Sequence, residues 1–196
     1  MKHPLLALYK EAFEKTVNRL LAIDPGTGHS GWAILDRLDD GTYIVVTCGY
    51  INGDRLLIEY VQGMGKYFNK VFTKLIALEC RYSEIIALYQ PDAIVCEGAF
   101  VFKFPAAFAA LKLAINLIRR VSYLYLNRDI EEIAPMVTKK IMTRHGHTDK
   151  DGIKSSILSC KDLIFSDTVD KENLSEHEYD AIAHGYTGYK TIHTKK

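Results

Sequence analysis

The chain has 196 residues, 48% of them hydrophobic and 25% charged, with a formal net charge of +1. That balance excludes a disordered polyelectrolyte and fits a single domain, residues 1–196, with enough apolar side chains for a full core. Cys48, Cys80, Cys96 and Cys160 are far apart with no CxxC spacing, which argues against a cysteine zinc site, and no apolar run is long enough to span a membrane. With no secretory leader in view, free thiols in a reducing, cytoplasmic setting are expected.

Residues 5–18 place Leu5, Leu6, Tyr9, Phe13 and Val17 at helical spacing, with Lys10, Glu11, Glu14 and Lys15 between them. This predicts an extra amphipathic helix ahead of the first strand. Three strands are expected next, over 19–24, 30–35 and 42–51, joined by turns that use Gly26, Gly28, Asp39, Asp40 and Gly41. Such short links make an antiparallel meander. From Leu56 to Leu88 the period becomes helical, with Val61, Met64, Phe68, Phe72, Leu75 and Ile76 on one stripe, and Pro91 ends it.

Residues 92–97 then read as a short buried strand, 105–126 as a helix rich in alanine and leucine, and 129–133 as a fifth strand. Pro135 suits the first turn of a following helix. Thr148 and Asp149 can cap a helix over 150–160, and Ser175 can cap a last one running from Glu176 towards Tyr189. The order predicts an α/β fold with a mixed five-stranded sheet, an antiparallel meander plus parallel strands, flanked by helices.

Charge is unevenly spread. Residues 101–160 hold ten Lys or Arg against five Asp or Glu, whereas 161–180 hold two against seven. A basic stretch leading into an acidic cluster is compatible with a phosphate-gripping surface beside a metal pocket, and equally with ordinary solvated faces.

Two acids occupy unusual places. Asp24 ends the apolar run Leu20 to Ile23 and precedes Pro25-Gly26-Thr27-Gly28, and Glu97 ends Ala93-Ile94-Val95-Cys96. A carboxylate at the mouth of a strand buried on both faces is costly unless something positive compensates it, although an Asp before a glycine turn also forms Asx turns. On the last helix His177, Asp180 and His184 share one face, and Ala181, Ile182, Ala183 and Gly185 let that helix dock closely on a sheet. Docking would carry His177 and Asp180 towards Asp24 and Glu97. Such a donor set suits Mg²⁺ or Mn²⁺, and a pair of these ions serves phosphodiester hydrolysis.

The stretch from Ala22 to Ile34, with Asp24-Pro25-Gly26-Thr27-Gly28 at its centre, resembles the first motif of the RuvC-type Holliday junction resolvases. Asp92 to Phe100 resembles their second motif, and His177-Glu178-Tyr179-Asp180-Ala181-Ile182-Ala183 their C-terminal one. The likeness runs from about residue 19 to 189. It implies an RNase H-like fold and a homodimer that binds four-way DNA and nicks two strands of like polarity, leaving ends a ligase can seal. It further implies that Asp24, Glu97, His177 and Asp180 are catalytic and hold two metal ions, and that Phe100 contacts unstacked bases. Lys139, with its neighbour Lys140, and Lys150 fall where the family has lysines near the scissile phosphate or backbone. The helix over 105–126 would form much of the dimer interface, with Lys103, Lys112, Arg119, Arg120 and Arg128 beside DNA channels.

Three other readings remain. An Asp shortly before Gly-Thr-Gly also resembles the phosphate loop of the sugar-kinase and actin type, but those proteins enclose a nucleotide between two such domains, and the length leaves room for one. A non-cutting module of the same fold would bind branched DNA or RNA without needing four ligand positions. A broader nuclease acting on flaps and forks, as virus-encoded relatives of the family do, is not distinguished by these residues from a strict resolvase.

Overall fold

Leu20, Leu21, Ala22 and Ile23 are wholly buried because strand β1 (Arg19–Asp24) lies inside the sheet with helices on both faces. The computed structural model describes residues 17–99, 105–143 and 150–192. The helix expected over 5–18 falls almost wholly outside these residues, as do Phe100, Lys103 and the side chain of Lys150. Strand β1 pairs antiparallel with β2 (His29–Arg37), which pairs antiparallel with β3 (Tyr43–Asn52), so the predicted meander is present. On its other side β1 runs parallel to β4 (Ala93–Glu97), and β4 runs parallel to β5 (Glu131–Ile133).

The described residues form six strands, not five, in the order β5-β4-β1-β2-β3-β6. The additional strand, β6 (Leu163–Phe165), extends the sheet parallel to β3. Three residues are too few to establish an alternating pattern, so only the pairing reveals this strand. Likewise β5 begins at Glu131, because Asp129 turns its carboxylate back to cap the Ile130 amide at 2.8 Å.

Alternation sorts the side chains into two layers. Leu20, Ala22, Ala33, Leu35 and Val95 pack under α5 (Lys150–Ser159) and α6 (Glu176–Ile192). Leu21, Ile23, Trp32, Ile34 and Ile94 pack under α1 (Gly53–Tyr60), α2 (Lys70–Tyr89) and α3 (Pro105–Leu126). The remaining helix, α4 (Pro135–Thr143), starts at the expected proline.

The single helical stretch expected from 56 to 88 is broken. Gly63 takes a left-handed conformation at φ 88°, a 3-10 turn (Met64–Lys66) follows, and Asn69 caps a new helix. The break rotates the apolar pattern. Phe68 and Phe72 are 48% and 49% exposed, and the buried stripe of α2 is Thr73, Ala77, Leu78, Tyr82, Ile85 and Ile86. No helix among the described residues is long and apolar enough to cross a membrane.

Candidate metal centre

Parallel pairing sets Ile23 opposite Cys96, so the next residues, Asp24 and Glu97, emerge side by side at the C-terminal ends of β1 and β4. Ser30 on β2 steadies this point, donating its hydroxyl hydrogen to the Asp24 carbonyl at 2.6 Å while Tyr82 bonds the Ser30 oxygen at 2.8 Å. Tyr82 is fully buried on α2, and burial raises its phenol, so it stays a neutral donor.

The third contributor is α6. It begins with a capping box in which the Ser175 amide and hydroxyl both donate to the Glu178 carboxylate, at 2.8 and 2.7 Å. The helix then presses onto β1 and β2. A Cβ on Gly185 would lie 2.5 Å from Leu35 Cδ1 and 3.0 Å from Ala22 Cβ, so the bare glycine lets the helix approach without displacing the Leu35 side chain. The docking brings His177 Nδ1 within 2.6 Å of Asp24 Oδ2 across 153 residues of chain. Asp24, Glu97, His177 and Asp180 line one cavity of about 370 Å³, with Pro135, Thr138, Lys139, Ile153 and His184 completing its wall. All four residues singled out from the sequence therefore meet.

His184 goes beyond that expectation. Its sharing a helix face with Asp180 was visible in the sequence, but its partners were not. The imidazole is 4% exposed, its Nδ1 is 3.0 Å from Thr138 Oγ1 on α4, and its Nε2 is 3.9 Å from Glu97 Oε2. Ligand atoms of Asp24, Glu97 and His184 all lie within 4.8 Å of one another, a spacing a metal ion can bridge. In the tautomer with the proton on Nδ1, that nitrogen donates to Thr138 and Nε2 presents its lone pair towards the two carboxylates, the form in which the ring binds metal through Nε2.

Burial pulls the His184 imidazole down to about 4, against a smaller opposing pull from Asp24. The unfolded chain, with an ordinary imidazole, takes up this proton first, so stability is complete above about pH 6.5 and drains as pH falls towards about 4. Urea unfolding in EDTA should show a loss of about 2 kcal/mol between about pH 7.5 and about pH 5. The variant His184→Gln should not show this step, and an equal loss in both proteins would assign the acid sensitivity elsewhere.

The basic residues fare differently. Lys139 lines the cavity and Lys140 is exposed beside it on α4. Lys112 and Arg119 both pair with Glu132, at 3.3 and 2.7 Å, Arg119 also with Asp129 at 2.7 Å, and Arg120 with Glu79 at 2.6 Å. Much of the local positive excess is thus met by acids of α2, β5 and the segment before β5. Arg128 is largely buried and lines a separate cavity with Asp129, Ile130 and Glu131.

No protein-family model matches the chain. It is similar to the crossover junction endodeoxyribonuclease RuvC of Wolbachia sp. subsp. Brugia malayi (strain TRS), 28% identical over 175 residues, covering 87% of this chain and 96% of that protein. The RuvC of Prochlorococcus marinus (strain NATL2A) is 25% identical over 143 residues, covering 71% and 81%. Among solved structures, T. thermophilus RuvC in complex with a Holliday junction substrate superposes with a TM-score of 0.69 at 17% identity over 90% of this chain and 97% of that one. The yeast mitochondrial Holliday junction resolvase gives 0.62 at 11% identity over 97% and 88%. The fold is RNase H-like, with acids at two adjacent strand ends facing a C-terminal helix. In sequence and in fold the chain is similar to the RuvC crossover junction endodeoxyribonucleases.

Proposed function

We propose that this chain is a metal-dependent, structure-selective endodeoxyribonuclease that resolves four-way DNA junctions by water attack on phosphodiesters, acting as a homodimer with one cut in each active site. The observation that carries this reading is the convergence of Asp24 and Glu97 with three side chains of one helix in a single cavity. The names of its RuvC relatives supply the substrate class. The exposed side of α3, where Ala106, Leu113 and Leu124 share a stripe, suits the dimer contact. The chain works as one domain, in the cytoplasm, where its four free cysteines stay reduced.

The donors fit a hard divalent cation with some nitrogen character. Asp24, Glu97, His177 and Asp180 would hold a pair of ions, Mg²⁺ or Mn²⁺, with His184 joining on the Glu97 side. Bound there, the metal supplies an activated water and neutralises charge on the leaving oxygen. The chain's own part is placement. Asp24 and His177 orient each other, Thr138 holds the His184 ring, and Lys139 offers its ammonium to the phosphate entering the cavity. Of the other DNA contacts, Lys112, Arg119 and Arg120 would exchange a carboxylate partner for phosphate, whereas Lys140, Lys150, Lys103 and Phe100 remain assigned through the resemblance alone.

Labelled four-way junction, flap and linear duplex, each incubated with Mg²⁺ or Mn²⁺, test the proposal. Paired symmetric nicks in the junction are expected, and none once EDTA is present. Binding without cutting under both metals would favour the non-cutting module, and equal cutting of flaps would favour the broader nuclease. Because imidazole is a poor ligand for Mg²⁺, Mn²⁺ should support cutting at least as well as Mg²⁺. Activity lost on exchanging Mg²⁺ for Mn²⁺ would remove the histidines from the ligand set.

A further inference from the structure

Beside the cavity, and outside its lining, two exposed rings extend the surface that begins at His177. His29 opens β2 opposite Asn52 of β3, which puts Tyr50, two residues from Asn52, on the same face of the sheet as its diagonal neighbour. The His29 and Tyr50 ring centroids are 5.8 Å apart with planes 14° from parallel, and His29 Nδ1 is hydrogen-bonded to the Tyr50 hydroxyl. His177 lies 5.8 Å from each ring, at 16° to His29 and 22° to Tyr50. The three near-parallel rings therefore sit at the corners of a triangle, and one of them, His177, touches Asp24.

Aromatic pairs on this face of the sheet are elsewhere covered. Tyr43, lower on β3, packs against Tyr186 and Tyr189 of α6. Helix α6 starts only at Glu176 and meets these two rings through His177 in its first turn, so His29 stays exposed and Tyr50 is 43% exposed. The hydrogen bond to His29 ties down the phenol ring although it is not buried, so little rotational freedom is left to lose when a flat partner arrives. Near-parallel rings present their π faces together, and every nucleobase has a π face to lay on them. Duplex DNA keeps its bases stacked inside the helix, whereas bases at a branch point are free to leave the stack.

We infer that Tyr50 and His29 form a stacking platform for an unpaired nucleobase adjoining the phosphodiester held at the Asp24–His177 site. This rests on the proposed nuclease reading and adds a base-binding subsite to it. The platform takes any base through its face, so it selects for an unstacked nucleotide more than for sequence. Tyr50 acts as a positioning residue, fixing the strand next to the reacting phosphate.

The experiment uses a four-way junction with 2-aminopurine placed on either side of the mapped cut position, bound in EDTA so that it stays intact. Wild type should change the probe's fluorescence as the base stacks. Tyr50→Leu, which keeps an apolar side chain but no π face, should lose that change and bind the junction about tenfold more weakly, while affinity for linear duplex stays within about twofold. Tyr50→Phe, which keeps the π face but loses the bond to His29, should retain the fluorescence change and weaken junction binding by no more than about threefold. The platform is overturned if Tyr50→Leu gives the wild-type fluorescence and junction affinity, or if Tyr50→Phe loses as much as Tyr50→Leu, which would assign the role to the hydroxyl. Equal weakening on junction and duplex overturns it as well, because it would mark a general folding defect. If wild type neither binds nor cuts the junction, the nuclease reading fails and the platform falls with it; if wild type cuts and Tyr50→Leu is unaltered, only the platform fails.

Discussion

Asp24→Asn is expected to yield a folded protein that binds junction DNA and cuts it at least about a thousandfold more slowly, since a metal-activated water and charge neutralisation together are worth several kcal/mol. Asp24 occupies the crossing point of the site. Its carboxylate bonds His177, stands beside Glu97 across the β1–β4 pairing, and belongs to the group of ligand atoms within 4.8 Å that includes His184. The amide keeps the shape of a largely buried side chain and an oxygen that still accepts from His177, so metal-free stability should move by no more than about 1 kcal/mol. One negative charge fewer faces the phosphates, so junction affinity should hold or rise. Single-turnover cutting, junction affinity in EDTA and calorimetric titration with Mn²⁺ separate these effects. Cutting at the wild-type rate would remove Asp24 from the site.

Gly31→Ala should be strongly damaging, since among the described glycines its added Cβ would make the closest contact. Gly31 pairs with Asp24 in the β1–β2 ladder and lies directly beneath the start of α6. A Cβ there would stand 1.8 Å from the His177 carbonyl oxygen and 2.9 Å from the Glu178 amide nitrogen. These are backbone atoms, which have no rotamer to retreat into, so the first turn of α6 must lift. Over-packing of this kind costs about 3 kcal/mol, with the capping box and the His177–Asp24 bond also disturbed. A shift of about 1 Å in a catalytic group lowers rate by about a hundredfold. Urea unfolding and cutting rate should therefore fall together. A variant within about 0.5 kcal/mol of wild type, cutting normally, would mean that α6 is not pinned at this glycine.

Much of the site was legible because it is written in local chemistry. An acid closing a fully apolar run is conspicuous at Asp24 and again at Glu97, and the helical spacing of His177, Asp180 and His184 puts them on one face whatever the helix packs against. The capping pair Ser175 and Glu178 marks where that helix begins. Other expectations failed for identifiable reasons. The stripe holding Phe68 and Phe72 looked continuous with the core until Gly63 and Asn69 interrupted the helix and turned both rings towards solvent. A charge count along the sequence also left out that Lys112, Arg119 and Arg120 face Glu132, Asp129 and Glu79.

By itself, the sequence determined the strand–turn and helix seeds, the two faces of each buried strand, and which side chains could bind a metal. These follow from neighbours along the chain, through period, propensity and turn chemistry. Only the tertiary structure decided that β1 and β4 align Asp24 with Glu97, that Gly31 passes under His177, that His184 meets Thr138 and Glu97, that β6 completes the sheet, and that His29 and Tyr50 stay exposed. The physical reason is that register and burial are set by packing between segments far apart in sequence, as far as the 153 residues that separate His177 from Asp24, and no local period encodes which distant surface a side chain will meet.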